Sequence, residues 1–168
     1  GYTMVIAAKT NGTSGERFFH FGSTSGTAGQ VIGVGKNGGF YFNGGGEQTF
    51  SGVNFGGNVQ VGVFRRKAGS TYAESEFMFN GANQIGTAIS GTSTPSIPTT
   101  GRDMLIGAGR NSSGAISSQL GNSVIHEMIL FEGDLNDFAV RRLEGYLAYK
   151  WGANARLTNG HPFAGSRP

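Results

Sequence analysis

Glycine divides this chain into short segments. Segments of this length favour strands joined by tight turns. Glycine supplies 31 of the 168 residues, against an average share of about 7% in globular proteins. Collagen is excluded, because the glycines follow no G-X-Y period and the chain has only four prolines. The composition predicts many short strands in a single domain over residues 1–168, long enough to bury roughly 70% of the unfolded surface.

Segments with alternating apolar residues recur between the glycine-rich breaks, as strands require. The first, Tyr2 to Lys9, is apolar enough to lie inside a sandwich. In the segment 57–66 the three valines share one face. Asn80-Gly81 is a preferred pair for a two-residue hairpin turn. These segments amount to about eight to ten strands and predict a closed or sandwiched antiparallel architecture.

The last long segment changes to the helical period. Asn136 suits the N-cap, Asp137 suits the first turn of a helix dipole, and Gly152 suits the position after the C-cap. Apolar residues recur at helical spacing, namely Val140, Leu143, Leu147 and Trp151. This stripe predicts a helix over residues 137–151 that packs on the sandwich, with Trp151 as a core plug whose indole N–H donates to a carbonyl.

The same segment resembles the end of concanavalin A-like jelly rolls of the laminin-G-like type. The matching positions are Glu127 with Met128 and Ile129, Leu135-Asn136-Asp137, GYLAYKWG from Gly145 to Gly152, and His161-Pro162-Phe163. Upstream, FMFNG (Phe77 to Gly81) is similar to the YVNG strand end of that family, and MLIGAG is similar to its IG strand. The resemblance implies an all-β, two-sheet antiparallel jelly-roll sandwich with one C-terminal helix.

Laminin-G-like domains are common in bacterial surface proteins, secreted enzymes and bacteriophage structural proteins. The resemblance therefore implies a non-catalytic recognition or display module that binds glycans or a cell surface on the exterior of a phage particle, as a head decoration, fibre or tail domain. Its partners are then host-surface polysaccharides and other virion subunits, in a homo-oligomer at the virion surface or outside the cell. Two alternatives stay open: a purely structural virion subunit without sugar binding, and an accessory carbohydrate-binding module of a secreted bacterial protein.

The sequence contains no recognisable catalytic motif. Glucanases with this jelly roll carry E-x-D-x-E on one strand, because retaining hydrolysis needs two carboxyl groups about 5 Å apart. The nearest segment here is Glu74-Ser75-Glu76-Phe77-Met78, in which a methionine replaces the third carboxylate. A serine nucleophile elbow, HExxH, a P-loop and a zinc cluster are also missing from the sequence. We therefore expect no enzymatic activity.

Sugar binding requires an exposed aromatic ring with polar side chains beside it. Tyr41 with Asn43, and Tyr72 in a later loop, are the candidate glycan-binding residues. The alternative for Tyr41 is a core or rim aromatic without a binding role.

The basic cluster Arg65-Arg66-Lys67 lies at a predicted hairpin end. It suits contact with an anionic polysaccharide or an acidic patch of another subunit, and the alternative is a solvated turn. Nucleic-acid binding is not expected, because the net charge is only +3 and such binding needs more cations and interleaved aromatics. Membrane insertion is not expected either, because no apolar run approaches the roughly 18 residues of a spanning helix.

No cofactor is expected, although a calcium ion stays open, with Asp103 and Asp134 as its candidate ligands. Structural roles are predicted for Glu127, Trp151 and His161. Glu127 is flanked by apolar residues and needs a partner such as a backbone N–H or an arginine. His161 is expected to dock the tail through one ring nitrogen.

Overall fold

A computed structural model describes residues 1–10, 17–21, 32–35, 39–42, 46–50, 55–69, 76–84, 86–90, 104–110, 115–117 and 123–168. These residues form thirteen strands, one α-helix and one 3-10 turn. The strands are β1 (Tyr2–Thr10), β2 (Arg17–Phe21), β3 (Ile32–Gly35), β4 (Gly39–Phe42), β5 (Gly46–Phe50), β6 (Gln60–Arg66), β7 (Glu76–Phe79), β8 (Ala82–Gln84), β9 (Gly86–Ser90), β10 (Met104–Ile106), β11 (Gly109–Arg110), β12 (Ile116–Ser117) and β13 (Ser123–Glu132). The helix is α1 (Asp137–Lys150), and the 3-10 turn spans Asn154–Arg156.

The strands in the described ranges pair into two large antiparallel sheets and one small one. The five-stranded sheet has the order β13-β1-β6-β7-β8, and the six-stranded sheet has the order β10-β2-β3-β4-β5-β9. β11 and β12 pair only with each other. The prediction of an all-β antiparallel fold with two main sheets and one C-terminal helix is confirmed.

β1 lies inside the five-stranded sheet and is buried on both faces. Its even-numbered residues pack between the two sheets and its odd-numbered residues pack towards α1, because side chains alternate along a strand. The intersheet cluster comprises Tyr2, Met4, Ile6, Ala8, Phe18, Phe19, Phe55, Phe64 and Phe77. The helix-side cluster comprises Val5, Ala7, Val61, Val63, Met78, Val140, Leu147, Ala148, Ala153 and Leu157. Burial on both faces explains why β1 is apolar at successive positions, and it confirms the predicted place of this strand.

β6 continues the division between the two clusters. Val61 and Val63 join the helix-side cluster and Phe64 joins the intersheet cluster, as the alternation predicted. Gly62 lies between them, where a Cβ atom would come within 2.9 Å of the Phe55 ring. Glycine is therefore needed at this position so that the ring can pack directly against the strand.

α1 begins and ends almost where the capping pattern predicted. Asn136 is the N-cap, and its Oδ1 accepts a hydrogen bond from the Ala139 N–H at 2.9 Å. Trp151 donates its backbone N–H to the Leu147 carbonyl at 3.0 Å, and Gly152 follows with a φ of 71°. A glycine in the left-handed region is the usual residue at that point. The helix therefore ends one residue before the predicted position.

The predicted apolar stripe of α1 faces the five-stranded sheet. Val140 and Leu147 are fully buried, and Leu143 and Trp151 pack at the margin of the helix-side cluster. Leu135, the residue before the N-cap, packs against the same cluster, which includes Val140. These contacts fix the helix on the outer face of the sheet.

Candidate functional site

Both the helix and the C-terminal tail contact the turn between β7 and β8. Asn80 and Gly81 both have positive φ values, 51° and 84°, as a type I′ hairpin turn requires. Asn80 Oδ1 accepts a hydrogen bond from the Val61 N–H at 3.0 Å, and Asn80 Nδ2 donates to Gln60 Oε1 at 2.6 Å. The turn predicted at Asn80-Gly81 is confirmed, and it is tied to β6.

Glu144 of α1 is a fully buried carboxylate above this turn. Its Oε1 accepts a hydrogen bond from the Gly81 N–H at 3.1 Å. Its Oε2 accepts one from Arg141 Nη1 at 2.9 Å, and the same Nη1 donates to the Gly81 carbonyl at 2.6 Å. A buried charge is tolerated when it is paired and hydrogen-bonded in this way. Glu144 and Arg141 thus attach the helix to the hairpin. The signal for this contact in the sequence is the charged residue Glu144 beside the apolar residues of the stripe.

The chain after the helix returns to the same turn at His161, which is buried. The His161 Nδ1 accepts a hydrogen bond from the Phe163 N–H at 3.2 Å, so the neutral ring carries its proton on Nε2. That Nε2 faces Glu144 Oε2 at 3.4 Å. The ring packs on Gly81, where an added Cβ atom would lie 2.7 Å from His161 Cδ2. His161 therefore lies where the tail meets both the helix and the turn.

A β-bulge in β13 turns two successive side chains towards the end of α1. The pairing of β13 with β1 skips His126, which is the extra residue of the bulge. The His126 ring lies 5.0 Å from the Trp151 ring, and Trp151 Nε1 donates a hydrogen bond to Glu127 Oε2 at 2.9 Å. The expectation of a carbonyl acceptor for the indole was wrong, because the bulge presents a carboxylate there instead.

Glu127 binds a second donor at the end of the helix. Lys150 Nζ lies 2.8 Å from Glu127 Oε2 and also donates to the Tyr146 hydroxyl at 2.9 Å. The hydrogen bond from Lys150, together with the one from Trp151, lowers the pKa of Glu127 below its ordinary value. The partners of Glu127 are thus a lysine and an indole, whereas a backbone N–H or an arginine was expected.

The lowered pKa of Glu127 predicts a pH-dependent stability. A carboxylate whose folded-state pKa is lowered stabilises the fold above its unfolded-state pKa, near 4.5, and this stabilisation is lost as the pH falls through the folded-state value. We expect Glu127→Gln to lower the free energy of unfolding at pH 7, with a difference from the unsubstituted protein that shrinks towards low pH. Urea unfolding of both proteins from pH 7 downwards measures this difference.

Glu132→Gln is the matched control, because Glu132 is an exposed glutamate at the end of the same strand. It should change the free energy of unfolding little at any pH. A Glu127→Gln difference that stayed constant down to strongly acidic pH would contradict the assigned ion pair.

Arg65 binds the start of the helix from β6. Its Nε donates to Glu76 Oε2 at 2.7 Å and its Nη1 donates to the Leu135 carbonyl at 2.8 Å. The same Nη1 lies 2.6 Å from Asp137 Oδ1, and its hydrogen bond lowers the pKa of Asp137. Arg65 therefore links β7 to the N-terminus of α1.

The basic cluster does not form a continuous exposed patch. Arg65 and Arg66 lie at the end of β6, and only 7% and 5% of their surfaces are exposed to solvent. Lys67 is exposed, and its Nζ lies 3.4 Å from Glu76 Oε1. The expected position on a solvated hairpin end therefore holds for Lys67 alone. Arg65 is buried against the start of the helix, and Arg66 lies on the opposite face of β6, because side chains alternate along a strand.

The outer face of α1 presents aromatic and cationic side chains in alternation. Phe138, Arg142, Tyr146 and Lys150 follow one another at intervals of four residues, so neighbours meet along the helix surface; we call them the aromatic–cation row. Phe138 is 66% exposed and Tyr146 is 43% exposed. The Arg142 guanidinium carbon lies 5.9 Å from the centre of the Phe138 ring, and Lys150 Nζ lies 5.2 Å from the centre of the Tyr146 ring. Both are cation–π contacts.

A groove of about 420 Å³ lies beside the row, between α1 and β13. The residues that line it include Phe131, Leu135, Leu143, Tyr146, Arg142 and Pro168. The walls are therefore apolar, with a guanidinium and a phenol among them. Sequence reasoning missed both the row and the groove, although aromatic and basic residues at four-residue spacing opposite the buried stripe were a usable signal.

The residues predicted to bind sugar or calcium lie only in part among the described residues, so their assignment stays a prediction. Tyr41 lies in β4, opposite Glu47 of β5. Asp134 is exposed in the link between β13 and α1. Outside the described residues lie Asn43, Tyr72 and Asp103.

Grouped metal ligands and membrane-spanning helices are both absent from the described part of the chain. In those ranges, no three side chains of the His, Cys, Asp and Glu types are grouped so as to hold a metal ion. No helix there combines the length and the apolar character needed to cross a membrane.

Comparisons with known proteins add no family or relative: no protein-family model matches the chain, and no curated protein matches it. The likeness to laminin-G-like jelly rolls therefore stays a prediction.

Proposed function

We propose that this chain is a non-catalytic recognition and display module that binds glycans. One observation carries the proposal: the exposed ring of Tyr146 lines an open groove, and the exposed ring of Phe138 lies further along the same aromatic–cation row. Sugar sites use such rings, because an aromatic face packs against the apolar face of a pyranose while polar neighbours bind its hydroxyls. Arg142 and Lys150 are the polar neighbours in the row.

The attachment of α1 supports a binding role for its outer face. The helix is held at its start by Arg65, at its middle by Glu144 and at its end by Glu127. A site on a rigid element loses little conformational freedom when a ligand binds. The row is therefore a preorganised surface.

We further propose that the two sheets have jelly-roll topology and that the module lies on the exterior of a bacteriophage particle or outside the cell. The motif resemblance at the C-terminal end supports both statements, and the cysteine-free, glycine-rich composition favours the phage setting. Its partners there are host-surface polysaccharides and the neighbouring subunits of a homo-oligomer. An accessory carbohydrate-binding module of a secreted bacterial protein would use the same side chains.

We expect Tyr146→Ala to weaken glycan binding about tenfold or more, because it removes the ring that borders the groove. The measurement is a glycan array with the purified chain, run with calcium and with chelator, followed by titration with the strongest hit. Leu130→Ala is the matched control, because Leu130 is exposed to a similar degree, 47%, on β13. It should bind like the unsubstituted chain.

Other outcomes of this experiment are equally informative. Full binding by Tyr146→Ala, with loss of binding in Tyr41→Ala or Tyr72→Ala, would place the site in the front half of the chain. Loss of binding in chelator would indicate a metal ion at the site. A blank array with a folded protein would contradict the glycan-binding proposal.

A structural subunit without sugar binding is the second candidate, and the exposed apolar side chains favour it. Phe138 on α1 and Leu130 on β13 are 66% and 47% exposed, and exposed apolar side chains often mark protein contacts. Sedimentation of the purified chain tests this candidate. A symmetric oligomer that Phe138→Ser dissociates supports it, and a monomer at every concentration contradicts it.

A further inference from the structure

Arg142 is the cation of the aromatic–cation row that is available to bind an anion. Lys150 is already committed to Glu127 and to the Tyr146 hydroxyl. Arg142 is exposed, makes no ion pair or hydrogen bond with the described residues, and is oriented by the Phe138 ring beneath it. A planar guanidinium held in this way offers paired N–H donors that match the two oxygens of a carboxylate.

The groove beside Arg142 adds two further preferences. Its walls at Phe131, Leu135 and Leu143 suit a small apolar group. Tyr146 accepts a hydrogen bond from Lys150 at its hydroxyl, so its own phenolic proton is left to donate to an acceptor on a ligand. The groove therefore favours a ligand that combines a carboxylate, a hydrogen-bond acceptor and a methyl-sized apolar group.

The size of the groove favours a sugar residue over a protein partner. Its volume of about 420 Å³ lies within the range of small-ligand sites, roughly 300–1,000 Å³. A stable protein interface instead buries about 800 Å² on each partner. An N-acylated acidic sugar carries all three groups, because its amide supplies the acceptor and its acyl chain supplies the methyl group.

We infer that the groove between α1 and β13 binds an N-acylated acidic sugar residue, with its carboxylate on Arg142, its acyl methyl against Leu135 and Leu143, and its ring on Tyr146. This inference rests on the proposed glycan-binding function and names the ligand class of that site. Sialic acids and N-acylated uronic acids share this chemistry.

The test is an NMR titration of the ¹⁵N-labelled chain with four probes. Two carry both groups: the methyl α-glycoside of N-acetylneuraminic acid, and N-acetylgalactosaminuronic acid. Two lack one group: the methyl ester of the first probe has no charge, and glucuronic acid has no acyl group. We expect one or both complete probes to shift the Arg142 Nε–H signal, and each incomplete probe to bind about tenfold more weakly or worse.

Variants at Arg142 assign the carboxylate contact. Arg142→Ala should weaken the complete probe about tenfold or more, and Arg142→Lys should restore part of the loss, because it returns the charge without the planar fork. Arg156→Ala is the matched control, because Arg156 is an exposed arginine on the 3-10 turn. It should bind like the unsubstituted chain.

Three results would overturn the inference. Equal binding of the acid and its ester would overturn it, and so would full binding by Arg142→Ala. The proposed glycan binding would still hold after either result if neutral sugars bind on the array. Binding of an acidic peptide such as poly-glutamate, with no sugar bound at all, would overturn both the inference and the proposed function.

Discussion

Replacing Glu144 with alanine should lower the free energy of unfolding by about 3–5 kcal/mol, the usual result of removing one partner of a buried ion pair. The carboxylate is fully buried and accepts hydrogen bonds from the Gly81 N–H and from Arg141. Its loss leaves that N–H without its acceptor and that guanidinium without its counter-charge. Urea unfolding, followed by circular dichroism at pH 7, gives the free energy.

Two further variants serve as controls, one at the same position and one at an exposed glutamate. Glu144→Gln keeps an acceptor for Gly81 and should cost less than the alanine variant. Glu132→Ala removes an exposed glutamate and should cost less than about 0.5 kcal/mol. A Glu144→Ala variant as stable as Glu132→Ala would contradict the role assigned to the carboxylate.

Deletion of residues 137–151 should abolish cooperative folding. The deletion exposes the helix-side faces of β1 and β6, including Val5, Val61 and Val63. Full burial of one such side chain contributes about 1.5–3 kcal/mol, and the net stability of a domain is only about 5–15 kcal/mol. The lost contacts therefore exceed what the rest of the fold can offset. Thermal melting and the binding of a hydrophobic dye measure the result.

Deletion of residues 166–168 is the control for this experiment, because those residues are exposed at the end of the chain. The shortened protein should melt at nearly the same temperature as the full chain. An unchanged melting curve after deletion of 137–151 would refute the view that α1 covers the sheet and that Trp151 helps to close its margin.

Local chemistry made a large part of the fold predictable. The helix could be predicted because its caps and its apolar period lie within one stretch of sequence, from Asn136 to Gly152. The turn at Asn80-Gly81 could be predicted because few residue pairs adopt positive φ at two successive positions. β1 was recognisable because a strand buried on both faces has to be apolar throughout.

Features that depend on distant partners were not predictable. The bulge at His126 exists only relative to β1, and it decides that Glu127 rather than a carbonyl meets Trp151. Arg65 was grouped with its neighbours in sequence as a basic cluster, yet its partners are Glu76 and Asp137. Charge alone does not reveal whether an arginine is buried in an ion pair or exposed.

The candidate site was missed for a related reason. The helical period predicts the buried face of α1 and assigns no role to the outer face. The predicted sugar-binding aromatics, Tyr41 and Tyr72, stay predictions, and the exposed rings described above lie on the helix, at Phe138 and Tyr146. The orientation of Arg142 over Phe138 could be seen only in the structure.

The pairing of β1 with β13 has a consequence for the biosynthesis of the protein. Thr10 and Ser123, which bind each other through their hydroxyls, are 113 residues apart. Closing so long a loop costs entropy before the contact stabilises the chain, and folding slows as contacts become more distant in sequence. A nascent chain that stops before β13 leaves one edge of its most apolar strand open to other nascent chains. The ribosome must therefore have synthesised most of this domain before β13 can pair with β1 and complete the five-stranded sheet.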